Sequence, residues 1–376
     1  MNVLKGKSLK VFSAFTGVGS PEMALKNINC EFDVVGISEV DKSAIIAYSL
    51  IHCGGFDCAD NVTVSEMLDE MKRTNIGYNF STGKSEIPRG DINIRKLYGA
   101  HKNAKNFGDI RLVNEMSLPD FDLFTYSFPC KDISIAGGQA GLSKSSESQS
   151  SLLWECERII KAKKPKYLLM ENVKNLVGKA HIGNFEEWIG ILSGMGYSSS
   201  YEILNACDFG LPQNRERTIM VSVLDESKPR LPAGVRTSLS VDSIAESHKA
   251  VEQSLFYSEC RVVGNGVDGV SINGLSLFGA VDGKAHSNSR VYRSTGYSPT
   301  LNSMNGGNRQ PKMHFNGVGV RRLSTLECWR LMGFSDSDHD KCKSHIPRSK
   351  MYERSGRGIA VGMLEAVFLL LGFGNV

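Results

Sequence analysis

The stretch Leu9-Lys10-Val11-Phe12-Ser13-Ala14-Phe15-Thr16-Gly17-Val18-Gly19-Ser20 decides how the chain is read. Residues 9–15 are apolar enough for a short buried strand, and the glycines after them mark a tight turn. Pro21 to Asn27 then opens a helix, with Ser20 as N-cap, Pro21 at the first helical position and Glu22 in the first turn. The apolar run Phe32 to Ser38 predicts a second strand, which ends in Glu39 and is followed by a helix over Ser43 to Leu50. Strand, glycine turn, helix, strand and terminal acid within roughly 30 residues is the pattern of a nucleoside-binding α/β unit. Glycine lets backbone N–H groups and a helix N-terminus approach a ligand closely. Glu39 is placed to accept from ribose hydroxyls. The turn is not GxGxxG, so a diphosphate is not indicated, and a strand–helix connection without a ligand would look the same.

Outward from this unit, further strands are expected at Phe121–Tyr126, Tyr167–Met170 and Thr218–Val223, with a helix over Leu152–Lys161 joining two of them. Such alternation predicts an α/β fold with a doubly wound, mostly parallel sheet. Residues 75–107 are polar and rich in Asn, Gly and Lys, the texture of a surface insertion. From about residue 225 to 320, Gly, Ser and Asn dominate and no helical period persists, which suits a smaller, irregular β-rich lobe. The apolar segment Ile359 to Leu371 predicts a final helix packing back on the first domain.

At 376 residues and 41% hydrophobic, the chain can bury a large core in two lobes. Its nine cysteines are scattered without a CxxC pair, which argues for a reducing cytosol over a disulfide framework. His52, Cys53 and Cys58 lack a second ligand pair, so no metal is expected. Met1 to Gly6 has no signal-peptide core, and the longest strongly apolar stretch, Ala366 to Phe373, is too short to span a bilayer. Net charge is only +4, yet residues 290–357 hold 13 Lys/Arg against 5 Asp/Glu. That imbalance suggests a polyanion-binding surface, although an ordinary solvated face would also carry it.

The chemistry concentrates after the predicted strands. In Ser127-Phe128-Pro129-Cys130, proline ends the strand and leaves one thiol at the carboxyl edge of the sheet. The glycine-hinged stretch from Lys131 to Leu142 follows, able to fold over a bound molecule. Glu171-Asn172-Val173 closes the next strand, so Glu171 and Cys130 are expected at one mouth. In Gln213-Asn214-Arg215-Glu216-Arg217 the two arginines would share a strand face, and two inward guanidiniums call for an anionic partner. Asp109, in Gly108-Asp109-Ile110, could accept from an amino group or simply cap a surface turn.

Assembled in this order, Phe15-Thr16-Gly17-Val18-Gly19, Glu39, Asp109, Phe128-Pro129-Cys130, Glu171-Asn172-Val173 and Gln213 to Arg217 resemble the DNA cytosine-5 methyltransferase family of bacterial and phage type. Arg321 to Phe334 and Gly356 to Ala366 extend the resemblance, which runs from about Val11 to Phe373. It implies a Rossmann-like methyltransferase sheet, with a catalytic domain over 1–240 completed by a C-terminal helix in 350–376. It also implies a target-recognition domain over 241–335 and a connecting segment over 336–349.

In the family's mechanism Cys130, as thiolate, attacks carbon 6 of a flipped-out cytosine, and Glu171 holds the ring nitrogen. Arg215 and Arg217 complete the catalytic set, and the methyl group passes from S-adenosyl-L-methionine to carbon 5, leaving S-adenosyl-L-homocysteine. Cofactor contacts map onto Phe15, Thr16, Gly17, Val18, Gly19, Glu39, Val40, Asp109, Ile110, Pro129 and Gly358. DNA contacts map onto Ser134, Gln139, Arg290, Tyr292, Thr300, Asn305, Gly306 and Arg309. The chain departs from the family pattern at Ser20, Val40 and Lys131, and at Arg357-Gly358, which stand where Asn-Ser is usual.

The implied partner is double-stranded DNA, bound by a cytoplasmic, nucleoid-associated monomer with no membrane contact, acting independently of any cognate restriction endonuclease. An RNA cytosine methyltransferase, a silent DNA-binding module and a dinucleotide dehydrogenase are the competing readings. The dehydrogenase lacks its third fingerprint glycine.

Overall fold

A computed structural model of the chain describes residues 7–57, 61–79, 82–129, 152–257, 271–272, 275–281, 287–304, 306 and 308–374. Cys130, Ser134, Gln139 and Asn305 lie outside the described residues, as does the whole stretch 131–142. The chain forms two compact units, one of Met1–Leu204, Arg217–Pro232 and Glu365–Val376, the other of Asn205–Glu216 and Ala233–Leu364. Those divisions differ from the expected ones at 240 and 335.

In chain order the elements begin with β1 (Leu9–Ala14), α1 (Ser20–Asn27), β2 (Phe32–Ser38), α2 (Lys42–His52) and α3 (Val64–Arg73). A two-residue hairpin, β3 (Tyr78–Asn79) and β4 (Lys84–Ser85), leads to α4 (Asp91–Asn103). Then come β5 (Leu123–Tyr126), α5 (Leu153–Lys163), β6 (Tyr167–Val173), α6 (Ile182–Gly194), β7 (Tyr197–Asn205), β8 (Gln213–Asn214) and β9 (Glu216–Leu224).

The first unit holds a six-stranded sheet in the order β2-β1-β5-β6-β9-β7. β1 pairs in parallel with β2 and β5, and β5 with β6, while β9 runs antiparallel to β6. The chain therefore winds one way from β1 to β2 and the other way to β5, which opens a crevice at the carboxyl ends of these strands. β5 is buried throughout and β6 is buried over its first six residues, as central strands covered on both faces must be. Phe12, Phe124, Tyr126, Trp154 and Trp188 share the core beneath them.

The expectation of a surface insertion over 75–107 fails. Ile94, Leu97, Tyr98 and Ala100 of α4 are buried against Ile45 of α2, Met67 and Met71 of α3, and Ile76. Polar neighbours mask the helical spacing of those apolar residues, so composition misjudged a segment whose one face belongs to a core.

The second unit adds β10 (Ser271–Ile272), β11 (Leu275–Ala280), β12 (Arg290–Arg293), β13 (Ser298–Pro299), β14 (Lys312–Phe315) and β15 (Gly319–Arg322). Helices α7 (Thr325–Arg330), α8 (Asp336–Lys343), α9 (Arg348–Arg357) and α10 (Val361–Leu370) follow. Five of the strands form a sheet in the order β10-β11-β12-β14-β15, and β13 pairs with β8. The segment expected to be a connection, 336–349, holds α8, which starts at a capping box formed by Ser335 and Asp338. Among the described residues no helix is long and apolar enough to cross a membrane.

Candidate active site

The carboxyl ends of β1, β2, β5 and β6 carry, in turn, the Phe15–Gly19 turn, Glu39, Ser127–Pro129 and Glu171. At the first of these, Phe15 takes a left-handed backbone with φ 56° and Gly19 one with φ 80°. Gly19, not Ser20, is the N-cap of α1, because the helix is entered through that left-handed residue and Ser20 is already helical. A Cβ at Gly19 would stand 2.3 Å from His52 Nε2, so glycine is required by space as well as by φ. His52 Nε2 lies 3.0 Å from the Val18 carbonyl and braces the turn from α2. A Cβ at Gly17 would meet nothing within 4 Å. Above Gly17 the backbone is bare and the space beside it open.

Glu39 organises this mouth. Its Oε2 accepts from Gly17 N–H at 2.9 Å, and its Oε1 accepts from the N–H groups of Val40 and Asp41, both at 2.8 Å. Asn106 grips the Glu39 backbone from both sides, accepting from its N–H at 3.1 Å and donating to its carbonyl at 2.9 Å. Asp109 receives Arg111 Nη2 at 2.6 Å and Asn75 Nδ2 at 2.9 Å. Burial opposes ionisation of Asp109, but the Arg111 and Asn75 hydrogen bonds outweigh it and hold the carboxyl below its usual range. Asn75 and Arg111 were missed in the sequence because each matters only through Asp109. Ile110 is buried beside it. Beneath the turn, buried Glu22 accepts from Ser13 Oγ at 2.6 Å, and Thr125 Oγ1 donates to Ser13 Oγ at 2.8 Å.

At the other end of the crevice, β6 runs further than the sequence suggested. Glu171, Asn172 and Val173 belong to the strand, because β9 supplies their ladder partners Ile219, Thr218 and Arg217. Glu171 is buried. Arg217 Nε lies 3.0 Å from its Oε1, while Ser127 Oγ donates to its Oε2. Asn172 Nδ2 donates to the Phe128 carbonyl at 3.1 Å, tying β6 to the segment that reaches Pro129. Glu171 and the residue preceding Cys130 thus sit on neighbouring strand ends.

Arg215 and Arg217 do not share a strand face. The strand breaks at Arg215, between β8 and β9. Arg215 is buried in the second unit, where its guanidinium donates to the carbonyls of Leu301 at 2.8 Å, Gly356 at 3.0 Å and Gly358 at 2.7 Å. Three carbonyl dipoles stand where an anion was expected. Gly358 therefore has its carbonyl engaged, and Arg357 bonds to Glu353 at 2.7 Å.

In the second unit, Arg290, Gly306 and Arg309 are exposed and Tyr292 is half-buried. Thr300 Oγ1 donates to the Asn214 carbonyl. Buried Lys312 donates to the carbonyls of Asn288 and Asn308, both at 2.7 Å, and so ties those two backbone segments together. Much of the basic excess is occupied internally. Arg321 bonds Glu327, Arg330 bonds Asp336, and Arg348 bonds Glu252, with Lys350, Arg354 and Arg357 all on Glu353. The charge count overstated the polyanion surface.

A glycine turn after β1, an acid after β2 and a buried acid near the carboxyl end of β6 are arranged as in an α/β methyltransferase. A family profile described as C-5 cytosine-specific DNA methylase matches residues 83–371. The chain is 38% identical over 366 residues to the type II methyltransferase M2.ScrFI of Lactococcus lactis subsp. cremoris, covering 96% of this chain and 98% of that protein. It is 31% identical to the orphan methyltransferase M.SssI of Spiroplasma monobiae, covering 98% of each. The solved structure of S. pombe Dnmt2 methyltransferase superposes with a TM-score of 0.59 at 16% identity, over 97% of this chain and 98% of that one, a likeness of fold. The chain belongs to the C-5 cytosine-specific DNA methylase family and is a DNA methyltransferase.

Proposed function

We propose that the protein methylates carbon 5 of a cytosine flipped out of double-stranded DNA, through a covalent adduct on Cys130. The observation that carries this reading is Glu171, buried and fixed through both oxygens by Ser127 and Arg217. An acid so held can bond a pyrimidine ring nitrogen and offset the charge that builds when carbon 6 is attacked. Cys130, directly after Pro129, is the attacking sulfur as thiolate, with Arg217 the cation near the strand ends. The cytosine must leave the stack to reach them, at a cost of a few kcal/mol.

S-adenosyl-L-methionine supplies an electrophilic methyl group and leaves as S-adenosyl-L-homocysteine. Phe15, Thr16, Gly17, Val18 and Gly19 would cradle it, Glu39 would take the ribose, and Val40, Asp109, Ile110 and Pro129 would complete the pocket, with Gly358 assigned to the cofactor by the family resemblance alone. Arg290, Tyr292, Thr300, Asn305, Gly306 and Arg309, with Ser134 and Gln139, would contact DNA. Arg215 serves by fixing the Gly356–Gly358 backbone. The enzyme would work as a monomer on nucleoid DNA in the cytoplasm, independently of any cognate restriction endonuclease.

The test is a duplex carrying 5-fluorocytosine incubated with S-adenosyl-L-methionine: after methyl transfer carbon 5 holds fluorine in place of the proton whose loss would expel the Cys130 sulfur. A denaturation-resistant protein–DNA adduct should form, and Cys130→Ser should abolish it. Adduct formation by Cys130→Ser, or exclusive methylation of tRNA, would overturn the reading.

A further inference from the structure

Glu171 needs a fixed orientation to meet a ring nitrogen, and its two oxygens are held by donors of different kinds. Arg217 Nε, from β9, sits 3.0 Å from Oε1 and supplies charge. Oε2 takes the hydroxyl of Ser127. Parallel pairing of β5 with β6 sets this contact. Tyr126 lies opposite Met170, so the next residue on each strand, Ser127 and Glu171, stand side by side beyond the last paired position. The sheet does not depend on that hydroxyl, because the ladder from Leu123 to Tyr126 already joins the two strands. Nor is a neutral hydroxyl needed to balance the carboxylate, which has Arg217. What Ser127 adds is direction. With one oxygen on a guanidinium and the other on a hydroxyl, the plane of the carboxyl is determined.

We propose that Ser127 is a positioning residue for methyl transfer, acting through Glu171. The inference rests on Glu171 bonding the target ring. Asn172 strengthens it by donating to the Phe128 carbonyl at 3.1 Å, which leaves the Ser127–Phe128 backbone anchored to β6 independently of the hydroxyl. Removing the hydroxyl therefore frees the carboxyl rather than the strand. A residue that orients the acid lowers the barrier without altering either binding equilibrium, since its hydroxyl is spent on Glu171.

The experiment compares Ser127→Ala, Ser127→Thr and Glu171→Gln by steady-state methylation of plasmid DNA, with thermal melting of each variant. Ser127→Ala should lower kcat about tenfold, equivalent to roughly 1.4 kcal/mol and at the low end for a hydrogen bond to a charged group. KM for the methyl donor and for DNA should stay within about twofold. Ser127→Thr, which keeps the hydroxyl, should restore most of the lost kcat. A Ser127→Ala enzyme with wild-type kcat overturns the inference, as does a folded Ser127→Thr enzyme as slow as Ser127→Ala. Loss confined to KM overturns it too. If Glu171→Gln retains wild-type kcat, the role of Glu171 falls and this inference falls with it, whereas a slow Glu171→Gln beside a wild-type Ser127→Ala overturns the Ser127 role alone.

Discussion

Arg217 meets Glu171 diagonally across an antiparallel pair, Nε to Oε1 at 3.0 Å, because Val173 is the residue directly opposite Arg217 on β9. Glu171 and Val173 lie two apart on one strand and so face the same side of the sheet. Antiparallel β9 is what places a cation over the acid. A parallel strand in its place, entering from the other end, could not deliver its first residues to the carboxyl edge of β6.

Removing Arg217 leaves a buried carboxylate without its cation. Arg217→Met should lower kcat by about 100-fold or more and reduce stability by about 3 kcal/mol. Arg217→Lys keeps the charge but loses the planar fork, and should recover stability better than rate. Steady-state methylation and chemical denaturation report the two effects, and a Met variant with unchanged kcat would refute the pairing's role.

Glu39 accepts three backbone N–H groups. Glu39→Gln is close in shape but turns one acceptor oxygen into a donor, which must face an N–H group. The turn over Gly17 should loosen, and cofactor affinity measured by calorimetry should fall about tenfold or more while DNA affinity holds. Equal cofactor affinity would contradict the assignment of this mouth.

Burial, only partly offset by the hydrogen bond from Ser13 Oγ, pushes the Glu22 carboxyl above its usual range. A raised folded value means the native state holds the proton more tightly than the unfolded chain. Its stabilising effect is full below the unfolded value of about 4.3 and is lost as pH rises through the folded value. Glu22→Gln should therefore match the wild type near the acid end. Above that it should become the more stable of the two, the gain growing with pH and then levelling. Melting curves across pH would show this, and a gain largest in acid would refute it.

Two glycines give opposite expectations for the same change. A Cβ at Gly356 would lie 1.7 Å from the Asn302 carbonyl oxygen. Gly356→Ala should cost about 3 kcal/mol or strand the protein unfolded. At Gly190, inside α6, a Cβ meets nothing within 4 Å. Gly190→Ala should stabilise by about 0.5–1 kcal/mol. Denaturant midpoints measure both.

What could be read in the sequence was what local chemistry fixes. The strand Phe32 to Ser38, the glycine turn and the terminal Glu39 are specified by residues adjacent in the chain, and all stand where expected. Relations across the chain were not legible. Ser20 was a good N-cap on residue type, but helix entry through Gly19 displaced it. Arg215 and Arg217 shared a period of two only if the strand was continuous, and it breaks between them. The apolar face of α4 depended on α2 and α3 to become a core, and polar neighbours hid it. Ser127 carried no signal of its own, because its meaning lies in Glu171, 44 residues away.

The most direct test is to identify the modified nucleoside. Duplex DNA incubated with the protein and isotopically labelled S-adenosyl-L-methionine should, after digestion to nucleosides, carry the label in 5-methyl-2′-deoxycytidine. Glu171→Gln should lower that yield by about 100-fold or more, on the scale of a lost acid catalyst. Label found on the exocyclic nitrogen of cytosine or adenine, or undiminished 5-methyl-2′-deoxycytidine from Glu171→Gln, would contradict the account.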